Sequence, residues 1–178
     1  RYKGIDLGLK ALNTVRRVIP EAELVVAGRG DDRSHLEALA RSLNLSNAVS
    51  FTGYVSEEKK IEWLHRAHAL VYPSPREGWG IAALEAAACG TPVIASDSEG
   101  LREPVRHQVT GILVPHRDLG SWVASITQIL SDRSLSERLA AEGLAWARRF
   151  DWNVQAERFR CIVEQVAGGS RPVGKERA

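Results

Sequence analysis

Apolar positions along this chain recur at two alternating periods. Ile5, Leu9, Leu12 and Val15 fall at helical spacing and predict a helix over 5–18 that Pro20 ends. The run ELVVAG (23–28) is short, β-branched and closed by Gly28, the pattern of a buried strand. Leu36, Leu39 and Leu43 share one face of a predicted helix over 32–43, and AVSFTG (48–53) reads as the next strand. Ser56 opens a helix with Lys59 and Lys60 near its start and Ile61, Leu64 and Ala67 along its apolar side. ALVYPS (69–74) is a strand stopped by Pro73 and Pro75. The segment from Ile81 to Cys89 is almost entirely Ala, Leu and Ile, and Gly90 caps it, so a helix buried on most sides is expected. TPVIAS (91–96) and TGILVP (110–115) are two further strands. After Asp118 the pattern is helical to about Val166, with breaks near 131–134 and at 150–151. Residues 168–178 carry Gly, Pro and charge with no period and are expected to be disordered, so residues 1–167 form the domain.

Strands that alternate with helices imply βαβ units and a doubly wound, mostly parallel, Rossmann-like sheet of the α/β class. Crossovers should be right-handed, and ligands should gather outside the carboxyl ends of the strands. In a sheet of order 3-2-1-4-5-6, ELVVAG takes second place, AVSFTG third and ALVYPS fourth. The central first strand has no counterpart and is expected upstream of Arg1. An empty central slot leaves backbone groups unpaired, each costing on the order of 1–3 kcal/mol. Either ELVVAG therefore closes directly against ALVYPS in a five-stranded sheet, or the chain is poorly stable without upstream residues.

Composition narrows the field only slightly. The 178 residues fit one domain or one half of a larger protein, and the absence of Met with Arg at position 1 points to the second. A net charge of +2 is too small to imply nucleic acid as a partner. Cys89 and Cys161 lack metal-ligand spacing and read as reduced, buried thiols of an intracellular protein. No signal peptide is visible, and no apolar run approaches the roughly 20 residues that span a bilayer. His35, His65, His68, His107 and His116 show no paired spacing with carboxylates, and no metal is expected. Trp63, Trp122 and Trp146 sit in helical apolar stripes and are expected in the core, with Arg148 and Arg149 on a solvated face. No nucleophile elbow surrounds Ser74 or Ser96, and GRGDD lacks the third glycine of a dinucleotide fingerprint.

The chemistry concentrates in PSPREGWGIAALEAAACGTPVIAS (73–96). Gly78 and Gly80 permit a tight turn and close approach of a ligand to the backbone. The helix that follows offers unpaired amides and a positive dipole end, a setting for phosphate. Glu85 lies about one turn in, and a carboxylate in such an apolar helix needs a donor. A ribose hydroxyl pair or a nearby Lys or Arg would serve equally. Glu77 stands at the helix mouth, either to reach a polyol beyond the phosphates or as a solvated loop residue. Glu103, after the strand at 91–96, reads as a site carboxylate or a helix-start charge.

This stretch resembles the signature of the family 4 retaining glycosyltransferases, with Glu77 and Glu85 as their Glu-x7-Glu motif. KGIDLGLKAL (3–12), AELVVAGRGDD (22–32), VSFTGYVSEE (49–58), TGILVP (110–115) and FDW (150–152) resemble the same family in order and spacing. The resemblance covers about residues 2–165 and implies the C-terminal, donor-binding half of a two-domain GT-B enzyme that moves a hexose from a nucleotide diphosphate sugar to an acceptor. It implies that Lys3 meets the donor diphosphate and that Gly78, Trp79 and Gly80 face the donor sugar. The amides of Ile81 and Ala82 would hold phosphate, Glu77 the hydroxyls of the transferred sugar, and Glu85 the ribose. Gly53, Tyr54 and Val55 match the segment whose backbone reads the nucleobase, and Gly28 and Gly30 match a loop lining the cleft. On this resemblance Lys3 and Glu77 are the catalytic pair, no cofactor or obligatory metal is needed, and nucleic acid is not a partner. The acceptor, a glycan or lipid, belongs to an absent N-terminal domain, and the enzyme is expected in the cytoplasm, with possible peripheral membrane association at the cytoplasmic face. The family's diphosphate-sharing Arg stands about six residues ahead of the Lys, and Arg1 does not fit that slot, so this chain alone is expected to be inactive. A non-catalytic nucleotide-sugar binding module and a sugar-nucleotide epimerase on the same architecture are the alternatives.

Overall fold

The computed structural model of the protein describes residues 3–168. Helices and strands alternate as α1 (Ile5–Val15), β1 (Leu24–Ala27), α2 (Arg33–Ser42), β2 (Val49–Gly53), α3 (Glu57–Arg66), β3 (Leu70–Tyr72), α4 (Ile81–Ala88) and β4 (Val93–Ser96). They continue as α5 (Glu99–Arg102), β5 (Gly111–Val114), α6 (Leu119–Ser131), α7 (Arg133–Ala147) and α8 (Trp152–Ala167), with a 3-10 turn at Arg148–Phe150 before α8. Several helix starts are written in the sequence. The side chains of Ser56, Asp118, Asp132 and Asp151 each accept a backbone N–H of the following first turn. Among the described residues no helix is long and apolar enough to cross a membrane.

All strand pairs are parallel, as the alternation predicts. They form two sheets, β1–β2 and β3–β4–β5, and no pairing joins β1 to β3 among the described residues. Of the two alternatives, closure of ELVVAG against ALVYPS therefore does not occur, and the place of the missing central strand lies between β1 and β3. The physical reason lies in α1. Its buried Leu9, Ala11, Leu12 and Val15 belong to one apolar cluster with Leu24, Val49 and Phe51 on one sheet and Val71, Ile94, Ile112 and Val114 on the other. Sliding β1 into contact with β3 would take those side chains out of packing already made, and close-packed cores resist such shifts.

The larger sheet is covered on both faces. Along β4, Ile94 enters the cluster with α1, α2 and α6, whereas Val93 and Ala95 enter a second cluster with Ala83 and Ala86 of α4. All four residues of β4 are buried, which explains its unbroken apolar run.

Some expected core positions lie at the surface. Ile61 is 45% exposed, Ala67 is exposed, and Trp63 is only half-buried, so α3 contributes little more than Leu64 to the core. Six charged residues in its ten (Glu57, Glu58, Lys59, Lys60, Glu62 and Arg66) leave α3 only a narrow apolar strip. Trp122 is fully buried as expected, but Trp146 is half-buried. Cys161 is exposed and Cys89 half-buried, against the expectation of two buried thiols. The reason for Cys161 is α8, which has no buried residue and presents Trp152, Phe159, Ile162, Val163 and Val166 outward. The predicted disordered tail lies outside the described residues except for Gly168, which ends α8.

Because β4 has a partner on both sides while β1 and β3 have one each, their amides should differ in protection. In hydrogen exchange on this chain, Ile94 and Ala95 should exchange at least about a hundredfold more slowly than the β3 amides that point away from β4. Equal protection on both edges of β3 would mean that a further strand pairs there.

Candidate functional site

The turn at Lys3–Gly4 lies on the carboxyl ends of the larger sheet's strands. Gly4 has φ 69°, and a Cβ there would sit 2.0 Å from the Pro73 carbonyl oxygen and 3.2 Å from the His116 ring. Only glycine meets both conditions, so the Lys-Gly pair is fixed against the end of β3. Lys3 Nζ then lies 2.7 Å from Glu77 Oε1, joining positions 74 apart in sequence.

Glu77 is not a solvated loop residue, since its side chain is only 12% exposed. Burial alone would push its carboxyl up, but hydrogen bonds from Lys3, Ser74 and Tyr72 together outweigh burial and hold it below the ordinary value. The backbone is clamped too. A Cβ at Gly100 would lie 2.0 Å from the Glu77 carbonyl oxygen, and the Gly80 amide donates to the Gly100 carbonyl at 3.0 Å. Between these two loops runs a cleft of about 350 Å³ lined by Arg76, Glu77, Asp97, Ser98, Glu99 and Arg102 among others.

The turn Gly78–Trp79–Gly80 leads from Glu77 into α4. Ile81 and Ala82 supply the first two amides of that helix, which have no acceptor within it. Buried Ala83, Leu84, Ala86 and Ala87 anchor the helix, while Ile81 is exposed at its mouth. Glu85 is half-buried rather than enclosed, because it lies off the packed side of α4. It has a protein donor: Lys60 Nζ reaches Glu85 Oε1 at 2.9 Å and Glu57 Oε2 at 2.7 Å. Hydrogen bonds to Glu57 and then Glu85 raise the Lys60 ammonium above its ordinary value. Burial, then the charge of Glu85, pushes the Cys89 thiol up.

A second group of predicted residues sits at the carboxyl ends of β1 and β2. The register slips between Val26 and Ala27, so Ala27 pairs with Gly53. The Gly28 amide then donates to the Gly53 carbonyl at 2.8 Å, which brings the loop holding Gly28 and Gly30 beside Gly53–Val55. Tyr54 is 69% exposed with the Arg29 guanidinium 5.3 Å from its ring centre. Val55 is half-buried.

The structure thus gathers Lys3, Glu77 and the Gly78–Ala82 segment at one point, places Glu85 one turn into α4, and sets the glycine loops on the other sheet. Sequence reading missed Lys60, Ser74 and Tyr72 as partners of the two carboxylates. Ser56 marks the start of α3 and so the turn bearing Lys60, but nothing in the sequence shows which carboxylate that lysine meets. Arg1 lies outside the described residues. Among the described residues no group of three or more His, Cys, Asp or Glu side chains could hold a metal.

Comparison with known proteins gives this arrangement a context. Residues 1–146 match the family model described as glycosyl transferases group 1. The chain is 36% identical over 170 residues to a glycogen synthase of Mycobacterium tuberculosis, covering 95% of this chain and 41% of that protein. It is 36% identical over 173 residues to a D-inositol 3-phosphate glycosyltransferase of Thermobispora bispora, covering 92% of this chain and 40% of that one. Among solved structures, the sucrose-phosphate synthase of Thermosynechococcus elongatus superposes with a TM-score of 0.82 at 31% identity, over 96% of this chain and 44% of the other. The chain spans about two fifths of the length of the curated relatives it matches.

The Lys3–Glu77 pair has a pH signature. A carboxyl held below its unfolded value near 4.5 adds stability in full above that value and loses it as pH falls through the lower folded value. Urea unfolding of the wild type and Glu77→Gln should therefore differ most at neutral pH, and the gap should close as pH drops from about 5 to about 3. A gap that widens on acidification would show that the carboxylate is not held by these donors.

Proposed function

From the premise that the chain belongs to the glycosyl transferases group 1 family, we propose that it is the donor-binding half of a retaining glycosyltransferase and holds a nucleotide diphosphate sugar for hexosyl transfer. The observation that carries this reading is the meeting of Lys3 and Glu77 at 2.7 Å beside the unpaired amides of Ile81 and Ala82. A cation then meets a carboxylate that stands four residues before a helix N-terminus.

Each group then has a task. Lys3 and the α4 amides take the charge of the diphosphate, which grows as the bond to the sugar breaks. Lys3 and the helix dipole replace a metal in that role. Glu77 holds hydroxyls of the transferred sugar, with Gly78, Trp79 and Gly80 along that sugar. Glu85 holds the ribose, Gly53–Val55 read the base, and Gly28 and Gly30 line the cleft. In the free chain each glutamate is matched by a lysine. Lys3 stays within reach of Glu77 as the diphosphate binds, and sugar hydroxyls add donors to the same carboxylate.

The acceptor is bound by the remainder of a longer protein, and the apolar stripe Trp152, Phe159, Val163 and Val166 on α8 is a surface for that remainder. A second reading is favoured by one contact. Lys60 already satisfies Glu85, so Glu85 is then a structural carboxylate rather than a ribose ligand.

The test uses the intact protein with UDP-, GDP- and ADP-glucose. Release of nucleoside diphosphate that depends on an added acceptor supports transfer, and its absence with every donor and a broad acceptor set counts against it. Glu85→Gln should weaken binding of the preferred nucleoside diphosphate roughly tenfold with little change in stability. Unchanged affinity would favour the structural reading of Glu85. Glu77→Gln should weaken the sugar nucleotide and leave the bare nucleoside diphosphate within about twofold. Equal losses for the two ligands would move Glu77 onto the nucleotide.

A further inference from the structure

An aromatic chain connects the Gly78–Gly80 turn to the far end of α7. The Trp79 indole stands 5.3 Å from the Phe150 ring centre at an interplanar angle of 63°. Phe150 in turn stands 5.5 Å from Trp146 at 75°. Both are edge-to-face contacts, the arrangement favoured by the ring quadrupoles. Glu103 fastens both ends: its Oε2 accepts from Trp79 Nε1 at 3.0 Å, and its backbone carbonyl accepts from Trp146 Nε1 at 3.1 Å. The Arg106 and Arg149 guanidinium groups lie 4.9 and 4.6 Å from the Trp146 ring centre and hold it by cation–π attraction.

We infer that Glu103 and Phe150 are positioning residues for the Gly78–Trp79–Gly80 turn, and that they tie this turn to the junction between α7 and α8. The inference rests on reading that turn as the donor-sugar end of the site. The backbone on either side of Trp79 is held at Glu77 and Gly80, but that clamp does not fix the direction of the indole. Trp79 is also 38% exposed, so burial alone does not fix it. Its restraint comes from positions 24 and 71 residues away in sequence, Glu103 and Phe150. Phe150 immediately precedes Asp151, whose carboxylate accepts the Asn153 and Val154 amides and so starts α8. A change in the direction of α8 therefore moves the ring that touches Trp79. Glu103 has no salt-bridge partner among the described residues, which leaves its carboxylate committed to the indole.

The experiment compares Glu103→Leu, Glu103→Gln, Phe150→Leu and Phe150→Tyr in the intact protein. Gln keeps an acceptor and Tyr keeps the ring, so these two are the rescuing variants. The readouts are KM and kcat for UDP-, GDP- and ADP-glucose, the Kd of UDP, GDP and ADP, and the fluorine NMR resonance of 5-fluorotryptophan at position 79, assigned with Trp79→Phe. The two Leu variants should raise KM for the accepted sugar nucleotide about fivefold or more, leave the Kd of its nucleoside diphosphate within about twofold, and shift or broaden the Trp79 resonance. Gln and Tyr should restore all three values. Leu variants that lower the thermal midpoint but leave KM and the Trp79 resonance unmoved would reduce both residues to structural supports and overturn the inference. If the wild type binds none of these compounds, the donor reading falls, and the fluorine resonance alone decides the coupling: an unmoved resonance refutes it and a shifted one sustains it.

Discussion

The contact of Gly4 with the Pro73 carbonyl is the constraint on which the rest of the site depends. No other residue fits a position where a Cβ would come within 2.0 Å of that oxygen. The contact holds the segment before α1 against the end of β3 and brings Lys3 to a loop 74 positions later. A lysine on a free segment would lose side-chain entropy and backbone freedom on reaching Glu77. Here the backbone is already held, so the pair costs only the ordering of the lysine side chain. A similar device works on the other side of Glu77, where Gly100 lets the loop after β4 approach its carbonyl. The carboxylate is thus fixed by two glycines that carry no chemistry of their own.

The two glutamates share one electrostatic logic. Each is partly removed from water, each has a lysine at hydrogen-bond distance, and the lysines come from elements far away in sequence. Removing a carboxylate from water favours a donor beside it, and each glutamate has one in the free chain. The two pairings keep the free chain from carrying uncompensated charge on these carboxylates. Burial and hydrogen bonding oppose each other at Glu77, and the hydrogen bonds win.

Much of this was legible in the sequence, and the parts that were not share a cause. Element order, strand direction, the helix breaks near 131–134 and 150–151, and the cap at Gly90 follow from local period and turn chemistry, and all appear. The doubly wound arrangement follows as well, since β4 alternates its side chains between two apolar clusters. What failed depends on which surface meets which. The absence of a strand between β1 and β3 was legible, but that the two would not close on each other depends on packing around α1, which no window of sequence contains. Ile61, Trp63 and Cys161 match apolar patterns but lie on helices whose outer faces meet little, as α3 and α8 show. Within the site, Glu77, Glu85 and Lys3 were legible from the resemblance, but Lys60, Ser74 and Tyr72 as partners of the two carboxylates were not, because those pairings cross elements. Glu103 was left between two readings for the same reason: its partner Trp79 is across the fold.

The split sheet gives the site an unusual division of labour. The loops holding Gly28 and Gly53–Val55 leave β1 and β2, whereas Lys3, Glu77 and α4 attach to the sheet of β3, β4 and β5. Within each group the spacing is set by directional hydrogen bonds and close backbone contacts. Between the groups, among the described residues, it is set by apolar packing on α1, through Leu9, Leu12 and Val15. Apolar contacts are collectively strong but individually weak and non-directional. Each loop group is therefore held by directional contacts, while the distance between the two groups rests on the packing of α1 against both sheets. A ligand that bridges both groups would read that distance directly.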